Sequence, residues 1–273
     1  MKINFNVIML SYNSECTIDF ALQGIHDHVD RIVVVDGLVG TNGNALAGGS
    51  LDLPMFSTDG TEHICRKYPR VKFIRHANAR GHKANKALES ATPDCNFIWI
   101  IDSDEIYNPD DIPKLKDYLL FDGERHGGFS VPYVTSYGDC LHFLDCSGLS
   151  FDKKCELCYA NRIWKYERGF GFKSNSQEAL YDRNGFLHKS AVVGEPGINV
   201  GRRGTCIIPE DVILMMHIHN LRMTGTMKNR ISGKKMVDGV EYVRYSNGGK
   251  IDWIPVASFP ENRIPSFMKG CFS

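Results

Sequence analysis

Through the first 107 residues, short apolar runs alternate with amphipathic stretches. The runs are Asn6-Val-Ile-Met-Leu-Ser-Tyr12, Arg31-Ile-Val-Val-Val-Asp36, Val71-Lys-Phe-Ile-Arg75 and Phe97-Ile-Trp-Ile-Ile101. Runs this short, bounded by turn residues, read as strands, and those apolar throughout read as strands buried on both faces. Between them, Ile18, Ala21, Leu22 and Ile25 recur at helical spacing, with Ser14 placed as cap and Glu15 in the first turn of a helix reaching about Asp27. Ser57-Thr-Asp-Gly-Thr-Glu62 predicts a turn and a helix start running to Tyr68, and Gly81–Ala91 puts Ala84, Ala87, Leu88 and Ala91 on one face. Strand, helix and strand within about thirty residues form a βαβ unit and imply a parallel sheet. Residues 38–56, rich in Gly, Asn, Ala and Leu without a period, read as a long mobile insertion.

The pattern then changes. Asp110–Phe121 is amphipathic and predicts a helix, and aromatic strands follow at Gly128–Val134, Tyr159–Lys165 and Ala191–Val193. Residues 212–237 read as helical after the apolar Val212–Met216. From about 239, Gly248-Gly249, Pro255, Pro260 and Pro265 predict an irregular wrap with little core. The division expected is an α/β half over 1–107, a mixed second half over 108–238, and the wrap over 239–273.

Composition narrows the function classes. Lys plus Arg and Asp plus Glu both number 32, so no net field selects nucleic acid or an anionic membrane. No 18-residue apolar run predicts a spanning helix. The opening Met1-Lys-Ile-Asn-Phe-Asn-Val7 reads as the lead-in to a strand and lacks the marks of a signal peptide, and with nine cysteines the expectation is reduced thiols in the cytoplasm. Cys140, Cys146, Cys155 and Cys158 would be enough thiolates for one zinc ion. Only the last pair has tight spacing, so buried or idle thiols are the default reading.

The sharpest chemistry lies where the fourth run ends in Asp102-Ser103-Asp104-Glu105. Three carboxylates coming straight off a buried strand repel one another and call for a cation. Oxygen ligands suit a hard divalent ion, Mn²⁺ or Mg²⁺, bridging to a substrate phosphate. In open α/β sheets ligands gather outside the carboxyl ends of the strands. An acidic helix cap, aided by Asn108-Pro109-Asp110-Asp111, accounts for the later acids but not for these.

Taken in order, Val7-Ile-Met-Leu-Ser-Tyr-Asn13, Val33-Val-Val-Asp36-Gly37, Ser57-Thr-Asp-Gly-Thr61, Gly81-His-Lys-Ala-Asn85-Lys-Ala-Leu88 and Ile100-Ile-Asp-Ser-Asp-Glu105 resemble the family 2-like glycosyltransferases and their GT-A fold, a Rossmann-like, mainly parallel sheet flanked by helices. The subgroup most similar carries an Asp-x-Asp-Glu metal motif and includes lipopolysaccharide-core sugar transferases. The resemblance is strong over residues 6–107, thinner over 155–230 and absent beyond 239. It implies a nucleotide-sugar donor, UDP being the common carrier, a glycan acceptor, and Mn²⁺ or Mg²⁺ as cofactor.

It also implies roles. Asp104 would ligate the metal, while Asp102 and Ser103 would meet ribose or a metal-bound water, with Asp102 and Glu105 as alternative ligands. Asp36 would contact the nucleoside, with a strand-end turn residue before Gly37 as the lesser alternative, and Leu10, Ser11 and Tyr12 would line its pocket, though Tyr12 is equally a core aromatic. Lys83 and Asn85 would face the nucleotide, against solvated helix positions as the plain reading. Glu178 is the candidate general base. The similar subgroup has a His just before this Glu, where this chain has Gln177. Leu214-Met-Met-His217 resembles the late histidine that completes a metal shell; His217 is preferred over His219, and a hydrogen-bonded core histidine is the alternative. Arg222, Lys228 and Arg230 read as a solvated basic run more readily than as a diphosphate contact. A nucleotidyltransferase would need a Gly-rich basic loop after the first strand, where Ser11-Tyr12-Asn13-Ser14 stands. The remaining alternative is an inactive carbohydrate-binding relative.

Overall fold

A computed structural model of the chain describes residues 2–39, 54–123, 125–137, 139–149, 158–173, 180–184, 205–218, 231–247, 250–258 and 263–268. The first half is built from β1 (Phe5–Ser11), α1 (Ile18–Ile25), β2 (Arg31–Asp36), α2 (Thr61–Cys65), β3 (Val71–Arg75), α3 (Arg80–Leu88), β4 (Phe97–Asp102) and β5 (Glu105–Tyr107). These strands match the apolar runs to within a residue or two. Period-two alternation splits their side chains between two cores. Phe5, Val7, Met9, Ile32, Val34, Phe97, Trp99 and Ile101 pack with Ile18, Ala21, Leu22 and Ile25 of α1. Ile8, Leu10, Val33, Val35, Ile98 and Ile100 pack with Ala84 and Ala87 of α3 on the other face. The sheet is therefore covered by helices on both sides.

β1 pairs in parallel with β2 and with β4, and β2 pairs in parallel with β3, giving the order β3-β2-β1-β4. β1 and β4 are thus neighbours at the point where strand order reverses, the place where such sheets open a crevice at their carboxyl ends.

The second half begins with α4 (Asp111–Asp122), whose Ile112, Leu115 and Leu119 join the α1 face. There follow β6 (Gly128–Tyr137), β7 (Asp139–Leu144), β8 (Tyr159–Lys165), β9 (Gly171–Phe172), β10 (Leu180–Tyr181), β11 (Cys206–Ile207) and β12 (Met215–His217). β8 runs antiparallel between β4 and β6, so the sheet becomes mixed at its centre. β12 inserts between β5 and β6.

Four expectations need correction. α1 starts at Ile18, and Ser14 does not cap it; the Ser14 hydroxyl is turned to Ser103 Oγ at 2.7 Å. α2 ends at Cys65, well short of Tyr68. The helix expected over 212–237 is replaced among the described residues by β12 and by β13 (Ile231–Val237). The irregular wrap is instead two further strands, β14 (Val240–Asn247) and β15 (Lys250–Ser258), which extend the sheet through β15 and β7. Local chemistry explains the last two. Asp238 and Gly239 adopt φ of 49° and 80°, the left-handed pair a tight hairpin needs, and so join β13 to β14. Pro255 sits where β15 passes from β14 to β7, a position that tolerates a missing N–H. The expected strand at 191–193 lies outside the described residues. Cys146 and Cys158 lie in one small apolar cluster with Leu144 and Ile254, Cys140 falls on β7, and Cys155 is outside the described residues.

Candidate active site

The carboxyl ends of β1, β2 and β4 are knit together by their backbones. Leu10 lies opposite Asp102 and Ser11 opposite Asp36. Just past the strand ends, the Ser103 amide donates to Leu10 O at 3.2 Å and the Gly37 amide to Ser11 O at 3.0 Å. Gly37 takes φ +142°, and a Cβ there would stand 2.8 Å from the Ala77 nitrogen, so the close approach of the two loops requires glycine.

On the β1–β2 side, Asp36 is fully buried and accepts from Ser57 twice, from its amide at 3.0 Å and from its hydroxyl. The segment before α2 therefore returns to the strand ends. Tyr12 turns out from the core and donates its hydroxyl to Pro54 O at 2.8 Å. Burial, then the Asp36 and Asp59 carboxylates, push its phenol up, which keeps the proton on the donor. Lys83 is fully buried and donates to Gly37 O at 2.6 Å and to Ser11 O at 3.2 Å. It is neither a solvated helix lysine nor an exposed cation; it ties α3 to both strand ends from beneath. Asn85 clamps the Phe172 backbone from both sides, accepting its N–H at 2.7 Å and donating to its C=O at 2.8 Å. That contact fastens α3 to β9.

On the β4 side, the chain turns sharply from β4 into β5, and each acid of the turn has a different setting. Glu105 is fully buried; Arg162 Nε lies 3.1 and 3.0 Å from its two oxygens, and Nη2 contacts it as well. Asp102 faces Arg162 Nη2 at 3.2 Å and Arg80 Nη1 at 3.7 Å. Burial pushes Asp102 up, but the two arginines outweigh it and hold its carboxyl below the usual range. Burial would likewise strip charge from Arg162, and Glu105 and Asp102 more than offset this, so the guanidinium stays protonated.

Asp104 is 2% exposed, and its Oδ1 lies 3.7 Å from His217 Nε2. Strand order makes this meeting possible. β12 pairs with β5 so that His217 stands opposite Glu105, and the Ile218 amide donates to Asp104 O at 2.9 Å. The Tyr133 ring meets the His217 ring edge-on at 5.9 Å. Tyr133 is also part of the wall of a cleft of about 490 Å³ lined by Phe143, Tyr159, Asp145 and Glu210.

The structure thus gathers Leu10, Ser11, Tyr12, Asp36, Asp102, Ser103, Asp104 and His217 around the ends of three adjacent strands. Glu178 and His219, with Arg222, Lys228 and Arg230, lie outside the described residues. Two contacts were not foreseen, those of Arg80 and Arg162 with Asp102. Arg162 is a cation at the middle of β8, but its partners depend on the β4–β8 register, Glu105 lying 57 residues away and Asp102 60.

Residues 56–138 match the model of glycosyl transferase family 2. That segment spans the end of the insertion, α2 to α4, the acid turn and β6. The chain carries a family 2 glycosyltransferase region. Its fold is GT-A, and TarS of S. aureus in complex with UDP-GlcNAc shares it, at 18% identity and a TM-score of 0.50 over 85% of this chain and 62% of that one. The same protein in complex with UDP aligns at 26% identity and a TM-score of 0.37, over 50% of this chain and 37% of that one. Glucosyl-3-phosphoglycerate synthase from Mycobacterium tuberculosis, in complex with Mn²⁺, UDP and phosphoglyceric acid, aligns at 21% and 0.35, over 50% and 44%. The chain therefore spans less than two thirds of these proteins, and the last two alignments carry no argument. No curated protein matches it. Among the described residues, no helix is long and apolar enough to cross a membrane.

Proposed function

We propose that the chain is a metal-dependent, inverting glycosyltransferase that moves a sugar from a nucleoside diphosphate, UDP by preference, to a hydroxyl of a glycan acceptor. The observation that carries this reading is the placement of Asp104 beside Asp102 and Ser103, at the crevice between β1 and β4 and within the stretch that matches family 2, with His217 brought to Asp104 from outside that stretch.

The donor set fits a divalent ion. One carboxylate oxygen and one imidazole nitrogen face each other, a mixed pair that suits Mn²⁺ better than Mg²⁺. Among the described residues no group of three His, Cys, Asp or Glu forms a closed cage. Diphosphate oxygens and water would fill the remaining positions, as is usual for hard ions at phosphate sites. When bound, the ion offsets the charge that develops on the diphosphate leaving group.

The chain's own residues do the rest. Asp102, held ionised by its arginines, presents acceptors to ribose or to a water, and the fully buried Ser103, its hydroxyl 2.7 Å from Ser14 Oγ, anchors the turn that carries it. Leu10, Ser11, Tyr12 and Asp36 form the nucleoside side, and Lys83 keeps two carbonyls of that side in place. The acceptor hydroxyl oxygen bonds to the anomeric carbon as the bond to the diphosphate oxygen breaks, and its proton passes to Glu178. The cleft beyond Tyr133, with its rings and carboxylates, supplies the stacking faces and hydrogen-bond acceptors a sugar requires.

A panel of nucleotide sugars tests the reading. The wild type should hydrolyse at least one of them slowly, UDP-sugars first, and only with Mn²⁺ or Mg²⁺. Asp104→Ala should lower that rate by about 10²–10³, the scale of losing one charge-stabilising element, with the melting temperature unchanged. Full activity in Asp104→Ala would end the proposal.

A further inference from the structure

In the acid turn, both carboxylate oxygens of Glu105 are engaged. Its side chain is fully buried, Arg162 Nε approaches Oε1 at 3.1 Å and Oε2 at 3.0 Å, and Oε2 also accepts the Asp102 amide at 3.1 Å. The same guanidinium reaches on with Nη2 to Asp102 Oδ2 at 3.2 Å. A closed ring results: guanidinium, Glu105 carboxylate, Asp102 amide, Asp102 carboxylate, guanidinium. Burying such a pair is costly, and an apolar pair of similar volume is often as stable or more so. Fold stability is therefore a poor reason for these charges. What the ring does accomplish is geometric, since it fixes both the backbone and the carboxylate of Asp102 from one rigid fork.

The register of β8 makes this possible. Trp99 lies opposite Ile163, which carries Arg162 to the last residues of β4, where the carboxylates emerge. Arg80 approaches the same Asp102 oxygen at 3.7 Å but is half exposed, so it supplies charge without a fixed direction. Arg162, with its side chain 10% exposed, supplies both.

We propose that Glu105 is not a metal ligand but the carboxylate arm of an arginine clamp, and that Arg162 is a positioning residue that aims Asp102 at the donor. This rests on the reading of Asp102 as a donor contact.

The test removes both charges together. Glu105→Leu with Arg162→Met leaves no uncompensated ion, whereas either single change would. The double variant should melt close to wild type, yet bind UDP with Mn²⁺ about 10–100-fold more weakly, the cost typical of losing an outer partner of a site. Arg162→Lys keeps the buried charge but not the fork and should show the same loss of affinity. Wild-type affinity in whichever of the two variants folds overturns the clamp. A crystal structure of that variant reads the clamp without any ligand: a displaced Asp102 carboxylate supports it, and an unmoved one overturns it. Failure of the wild type itself to bind any nucleoside diphosphate would instead count against the donor site.

Discussion

Two regions of the sheet, the β1–β4 pair in its interior and the β13–β15 meander at one edge, are built on opposite terms. β1 is buried at every position and β4 at all but its last, each strand packed by helices on both faces, and the candidate site hangs from their carboxyl ends. In β13, β14 and β15, Met236 is 65% exposed, Trp253 is 41% exposed, and among the described side chains only Ile254 is fully buried, against a small cluster. Strands buried on both faces hold their ends to fixed positions, because any shift would disturb two packed cores. A meander resting on one small cluster places nothing so firmly. The site sits on the doubly packed region.

Four substitutions break or sharpen that contrast. The largest effect is expected on turnover, from Glu178→Gln. It should lower transfer by about 10²–10⁴, the range of general-base catalysis, and leave donor binding intact in a titration. Unchanged turnover would remove Glu178 as base.

Next is Trp99→Ala. Trp99 is fully buried against Phe5 and Tyr107, with ring centroids 5.2 and 4.7 Å away, and its loss should cost about 3–5 kcal/mol in denaturant unfolding. Gly37→Ala puts a Cβ 2.8 Å from the Ala77 nitrogen at a φ of +142°. A destabilisation of about 1–3 kcal/mol is expected, with weakened nucleotide binding because Ser11 and Asp36 flank that loop. The smallest effect belongs to Trp253→Ala. Its main visible partner is Lys235, 4.5 Å above the ring, and the expected cost is about 0.5–1 kcal/mol. A Trp253→Ala loss equal to that of Trp99→Ala would overturn the contrast.

The same contrast explains what could be read from the sequence. β1, β2 and β4 are legible because burial on both faces writes a continuous apolar run, while the half-exposed β3 is a shorter apolar run broken by Lys72, and the aromatic β8 is legible to the residue. Asp36, Asp102 and Asp104 stand out in sequence as acids that end apolar runs, and the fold sets them at the carboxyl ends of β2 and β4. β13 is poorly legible because Lys234, Lys235 and Met236 carry no clear period, although Asp238-Gly239 after them is a hairpin signal. The two forward contacts of Ser57 on Asp36 and the grip of Arg162 on Glu105 join residues 21 and 57 apart. Only the fold brings those pairs together. Lys83 shows the limit of residue type: the resemblance turns this lysine toward a phosphate and its helix position toward solvent, whereas in space it is a buried tie between two strand ends.

The central claim is that the ends of β1, β2 and β4 form a nucleoside diphosphate site completed by a divalent ion. Its most direct test is the shift in melting temperature on adding UDP, measured with Mn²⁺ and again with excess chelator. A stabilisation that appears with Mn²⁺ and vanishes with chelator is the expected result. Equal stabilisation in both, or none in either, would contradict it.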